Sequence, residues 1–209
     1  MTPAQRERDR FADELLAVGP DAPTLCTGWN ARDLAAHVVI REHRPDTAPG
    51  LFLPFLSGYT DRVRRGEARR ATGARRTGSL RPPFFAPARL GAIDRLMNTT
   101  EFFVHLEDLR RAQPAWEPRV LDAELVDDLH GALRRSAKLF ARSAPSPFTL
   151  VPDDGHDPVV AKSGEGAVTV SGPVGELVLF IFGRQAHARV GYVGDDDAVA
   201  ALRTTQFGI

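Results

Sequence analysis

Cysteine is nearly absent from this 209-residue chain: Cys26 is the single one, so no disulfide can form within it and no cysteine-cluster metal site can be built. That usage fits a reducing compartment. Lysine is almost as scarce, Lys138 and Lys162 against 25 Arg, a bias that reflects a GC-rich source more than a function. Net charge is lacking too. The 27 basic and 27 acidic residues cancel, which removes the electrostatic drive toward nucleic acid or anionic lipid. Long apolar runs are missing as well. The longest, Leu177 to Phe182, is far too short to span a bilayer, and the charged opening MTPAQRERDRFADELL has no apolar signal-like core. The expectation is a cytoplasmic protein with neither membrane nor nucleic acid as partner.

A hydrophobic share of 43% and a charged share of 26% are those of a chain that folds around a core. From Pro3 to Val18, Phe11, Leu15 and Leu16 recur at helical spacing before Gly19 and Pro20 stop the pattern. Asn30, with Asp33 three residues on, suits the start of a second helix that carries His37 and ends before Pro45. Between Asp61 and Arg95 there are ten Arg against Asp61, Glu67 and Asp94. This basic stretch is read as one amphipathic helix near Leu56 to Glu67, then a loop and the turn RPPFFAP. It lacks interleaved aromatics before Phe84, which argues against a nucleic-acid footprint. A long helix is expected over 88–113, with Leu90, Ile93, Met97, Thr100 and Val104 on one face and Pro114 ending it. Another, over 122–143, has Leu125, Leu129, Leu133 and Phe140 in register.

Beyond Pro147 the period changes. FTLVP, DPVVAKS and GAVTVSG are short, β-branched, turn-bounded runs that read as strands. PVGELVLFIFGRQ reads as a helix opened by Pro173, ARVGYVG as a strand, and Asp195 or Asp196 as the cap of a last helix through Leu202. The class is therefore α+β: a bundle of four or five helices over 1–146, followed by a small α/β domain over 147–209.

The chemistry concentrates in E-F-F-V-H, residues 101–105. Glu101 and His105 stand four apart on a helix and project from one face toward one point. A zinc site with an open position needs three nitrogen or oxygen donors, so the third must come from another helix. His37 is preferred because it sits mid-helix among Leu34, Val38 and Ile40, whereas His43 lies at a helix end beside Arg41, Arg44 and Pro45. His130 and His156 stand as substitutes if the packing differs. The bland alternative is a solvated helix pair contributing about 0.3 kcal/mol. Asp108 could accept the second N–H of His105, while Glu107 suits an ordinary solvated helix end. Cys26 reads as a packed thiol, since no base is positioned beside it in the sequence, and Trp29 as an anchor for the second helix. The Phe84–Phe85 pair either caps the bundle or lines a pocket.

TLCTGWNARDLAAHVVIREHRPD resembles the opening of the actinobacterial mycothiol-dependent maleylpyruvate isomerase-like, DinB-like metal-binding proteins, whose G-W-x-x-x-D-L-x-x-H pattern delivers a first histidine, here His37. NTTEFFVHLEDLRRAQP resembles their second signature, which supplies Glu101 and His105. SGPVGELVLFIFGRQ, with the GD and AVAAL that follow, is similar to their sterol-carrier-like C-terminal region. The resemblance implies a DinB-like bundle binding Zn2+ or another divalent metal through His37, Glu101 and His105. It further implies a low-molecular-weight thiol, mycothiol, activated there and added to a small electrophilic substrate or used in isomerisation.

In that setting an Arg would receive a substrate or thiol carboxylate. Arg184, at the end of the apolar helix, is the candidate for cofactor binding, with compensation of the helix dipole as its alternative. Two histidines and a carboxylate are also the ligands of non-haem iron oxygenases; the helical scaffold and the resemblance favour zinc. The competing reading is a non-enzymatic module that binds metal or a small ligand without turnover.

Overall fold

A computed structural model of the chain describes residues 1–43 and 91–207, with side chains described over 1–39 and 98–207. The expected helix near Leu56 to Glu67, the Arg-rich stretch as far as Leu90, the Phe84–Phe85 pair and the side chain of His43 lie outside these residues. Among the described residues the fold is mixed, with six α-helices and a four-stranded sheet. No described helix is long and apolar enough to cross a membrane.

By contact the chain divides into two compact units, Met1–Glu117 and Pro118–Ile209. The first holds α1 (Pro3–Val18), α2 (Ala31–His43) and α3 (Gly91–Arg110). Helix α1 starts at a reciprocal cap: Thr2 Oγ1 accepts the Gln5 N–H while Gln5 Oε1 accepts the Thr2 N–H, satisfying two donors that a helix start leaves open. Its Phe11 stands edge-on to Phe102 of α3 at 6.3 Å, and Arg8 lies over the same ring at 4.6 Å. Phe11, Ala31, Leu34, Val38, Phe102, Leu106 and Leu109 form one buried cluster from all three helices. Each large side chain removed from water there contributes about 1.5–3 kcal/mol.

The second unit begins with α4 (Ala123–Phe140), capped by Asp122, whose carboxylate accepts the Leu125 N–H at 3.0 Å. It continues through β1 (Phe148–Pro152), β2 (Val159–Lys162), β3 (Val168–Gly172), α5 (Val174–Ile181), β4 (Gly191–Val193) and α6 (Asp196–Thr204). The sheet order is β2-β1-β3-β4, with β1 and β3 parallel and the two outer pairings antiparallel. Phe148 and Leu150 stand in register with Val168 and Val170, and all four are buried, so the period-two alternation puts one apolar face inward. Every residue of α5 is buried, and Phe180 meets Phe148, Phe207 and Tyr192 ring to ring at 5.2–6.1 Å.

Helix α4 packs against α5 and β2 and falls in the unit Pro118–Ile209. Its stripe of Leu125, Leu129, Leu133 and Ala137 is buried as the spacing predicts. An amphipathic stripe says that a face must be covered, not what covers it.

Candidate metal centre

The loop before α2 is folded back on itself. Ala31 N–H donates to the Ala22 carbonyl at 2.9 Å, and Gly28 takes φ +75, a left-handed turn that a side chain disfavours. Asn30 then caps α2, its Oδ1 accepting the Asp33 N–H at 3.0 Å. Leu34 and Val38 are buried, which leaves His37 at the margin of the core, its ring 5.3 Å from that of Trp29 and 5.1 Å from that of His105.

Helix α3 supplies the other donors. His105 Nε2 is 3.4 Å from Glu101 Oε2, the pair meeting across one helical turn as the four-residue spacing requires. One donor atom each from His37, Glu101 and His105 lies within 4.8 Å of the others. Two donors held 2.0–2.1 Å from a tetrahedral ion stand about 3.3 Å apart, so the Glu101–His105 spacing already fits one edge of such a site. A small pocket of about 10 Å³, room for about one water and lined by Val38, Glu101, Phe102 and His105, lies beside these atoms.

Around this trio the helix is unlike the solvated end that the charged run L-E-D-L-R-R suggests. Phe102, Phe103, Val104, Leu106, Glu107, Asp108 and Leu109 are all buried, nearly all round the helix. Glu107 is 1% exposed, and its carboxylate accepts from Arg111 Nε at 2.6 Å and from Arg110 at 3.0 Å. The reading of Glu107 as solvated is thus corrected. A buried carboxylate is tolerated only with charge-assisted partners, and the arginines three and four residues on supply them. Asp108 is fully buried, and its Oδ2 lies 3.1 Å from His105 Nδ1. Burial alone would push the His105 pKa down. The hydrogen bond to Asp108, with those to Cys26 and Glu101 and the Glu101 charge, overcomes this and raises it well above the ordinary histidine value.

One group near the trio had no signal in the sequence. Cys26, read as a packed thiol, places Sγ 3.3 Å from Asp108 Oδ2, across a separation of 82 residues. Cys26, His105 and Asp108 also offer donor atoms within 4.8 Å of one another. The other candidates are elsewhere: His130 and His156 pair in the second unit with ring centroids 4.7 Å apart. Arg184 also belongs to the second unit, where its backbone N–H donates to the Leu179 carbonyl and its guanidinium to that of Phe182.

No protein-family model matches the chain, and no curated protein matches its sequence. Two solved structures are similar in fold: the mycothiol-dependent maleylpyruvate isomerase and a histidine-to-alanine variant of it. Each is 16% identical, over 91% of this chain and 90% of that one, with TM-scores of 0.55 and 0.57 respectively. At that identity the likeness is one of fold.

Proposed function

We propose that this chain is a divalent-metal-binding protein in which His37, Glu101 and His105 hold Zn2+ or another divalent ion, and that it acts as a thiol-dependent transferase or isomerase of cytoplasmic small molecules. The observation that carries the reading is the convergence of three donor atoms within 4.8 Å, with the Glu101–His105 pair already at ligand spacing. The two parts are read as a DinB-like bundle and a sterol-carrier-like domain, and fold-level likeness to a mycothiol-dependent isomerase makes mycothiol the first thiol to test. A divalent cation at this position would stabilise a thiolate at neutral pH and so supply the nucleophile.

The chain's own residues would do the rest. Glu101 contributes negative charge that offsets the ion, while the two imidazoles are neutral donors. Val38 and Phe102 supply the apolar part of the pocket lining beside Glu101 and His105. Arg184 is proposed to take a carboxylate of thiol or substrate through its two-pronged guanidinium.

The test is to load the purified protein with zinc, supply mycothiol with maleylpyruvate and other small electrophiles, and follow the reaction by ultraviolet absorbance. Turnover that needs both thiol and metal, and is lost in a folded His105→Ala variant, supports the enzyme. Metal binding with no thiol-dependent turnover across the panel would leave a binding module.

A further inference from the structure

The loop that carries Cys26 is tied to the end of α3 at two points. Leu25 N–H donates to the Asp108 carbonyl at 3.0 Å, and Gln113 Nε2 donates to the Pro23 carbonyl at 3.0 Å. Within the loop, Thr24 Oγ1 accepts the Cys26 N–H at 3.2 Å, and Trp29 N–H donates to the Cys26 carbonyl at 2.9 Å. These bonds deliver the thiol to the oxygen that faces His105. Asp108 Oδ2 is 3.3 Å from Sγ and 3.1 Å from Nδ1, and its side chain is fully enclosed.

A carboxylate oxygen accepts, so both neighbours must donate: the thiol its S–H, the imidazole its Nδ1–H. The lone pair of the neutral ring then sits on Nε2, the nitrogen that faces Glu101 at 3.4 Å. The choice of tautomer is thereby made outside the candidate metal centre. The two donors also compete, because each bond drains charge from the same oxygen.

We propose that Asp108 and Cys26 are positioning residues for His105: the carboxylate fixes Nε2 as the ligand nitrogen, and the thiol, by sharing Oδ2, limits how strongly the carboxylate pulls on the Nδ1–H. This rests on the reading of His37, Glu101 and His105 as metal ligands. Removing the carboxylate frees the ring to turn or change tautomer. Removing the thiol takes one donor away from Oδ2, so the bond from the imidazole strengthens and Nε2 becomes the better donor. Replacing the thiol by a hydroxyl, a stronger hydrogen-bond donor, does the reverse.

The experiment compares zinc affinity by competition with a chromophoric chelator in the full-length wild type, Asp108→Ala, Asp108→Asn, Cys26→Ala and Cys26→Ser, each checked for folding. Asp108→Ala is expected to weaken binding about 10–100-fold. Asp108→Asn, which keeps an acceptor oxygen, recovers part of this and serves where the alanine variant does not fold. Cys26→Ala tightens binding and Cys26→Ser weakens it, each by about two- to threefold, an opposition that mere loss of packing would not produce. Equal effects of the two cysteine variants overturn the proposal. So does a thiolate-to-cobalt charge-transfer band in the cobalt-loaded wild type that vanishes in Cys26→Ser, since Cys26 is then itself a ligand. Nitrogen-15 NMR of the metal-free protein, read on the neutral imidazole, separates the two readings. Wild type that takes up no zinc sinks the ligand assignment, while the Nδ1–H tautomer, lost in Asp108→Ala, upholds the positioning and the Nε2–H tautomer refutes it.

Discussion

Replacing Glu107 by Ala removes a carboxylate from a place where its guanidinium partner cannot reach water. Both side chains of the Glu107–Arg111 pair are 1% exposed and meet at 2.6 Å, and Arg111 is also lodged over the Trp116 ring at 4.6 Å. The arginine is thus held in place and stays charged after its Glu107 carboxylate partner is removed. Breaking a buried pair in this way destabilises by about 3–5 kcal/mol, far more than the 0–1 kcal/mol of an exposed pair. The chain's two tryptophans, Trp29 and Trp116, both lie in the Met1–Glu117 unit, so tryptophan fluorescence during urea unfolding reads that unit alone. With a slope of about 2 kcal/mol per M, the midpoint should fall by roughly 1.5–2.5 M. The double substitution Glu107→Met with Arg111→Met should recover most of this, because a buried pair replaced by apolar groups of similar volume is often near neutral. A midpoint shift below about 0.5 M in Glu107→Ala, or a double variant no better than the single one, would refute the claim that this end of α3 is held by a buried ion pair.

Phe180→Ala should cost about 3–5 kcal/mol, since the ring is fully buried among Phe148, Phe207 and Tyr192; differential scanning calorimetry should show the loss in a transition that leaves the tryptophan signal unchanged. The turn between β1 and β2 should be clasped to α4 in a pH-dependent way through His156, whose ring nitrogens lie 3.0 Å from Asp127 and 2.9 Å from Asp154, with the His130 ring beside it. The bonds to Asp127 and then Asp154 raise the His156 pKa. Burial pushes the Asp154 carboxyl up, but the bonds from His156 and the Val174 N–H outweigh it and lower its pKa. A raised histidine stabilises fully below its ordinary value and loses the effect as pH rises through the folded one; a lowered carboxyl stabilises above its ordinary value and loses the effect as pH falls through the folded one. The clasp is therefore strongest between about pH 4.5 and 6.5. Amide exchange of β1 and β2 should be faster in Asp127→Asn than in wild type inside that window, with the difference shrinking above it; a pH-independent difference would contradict the linkage.

How far the sequence could be read depends on the range of the forces involved. Helix α1 and the strands follow from local rules: the Thr2–Gln5 cap is four residues long, and the alternation of Phe148, Leu150 and Pro152 repeats every second residue. The Glu101–His105 juxtaposition is local for the same reason. Placing His37 beside it needed tertiary packing, which the periodicity of Leu34 and Val38 only hinted at. What could not be read was the burial of charge. Glu107 and Asp108 lie in a run that looks solvated, and nothing in the sequence says that a loop 82 residues earlier will lay a thiol against one of them. Nor does the amphipathic pattern of α4 encode that its apolar face is covered by α5 and β2.

Metal binding by His37, Glu101 and His105 can be read by elemental mass spectrometry on the wild type and the His37→Ala, Glu101→Ala and His105→Ala variants, purified without chelators and shown to be folded. Near-stoichiometric divalent metal is expected in the wild type, with its loss in each variant. A wild type that is metal-free and takes up no added zinc would contradict this, leaving Glu101 and His105 as an ordinary helix pair.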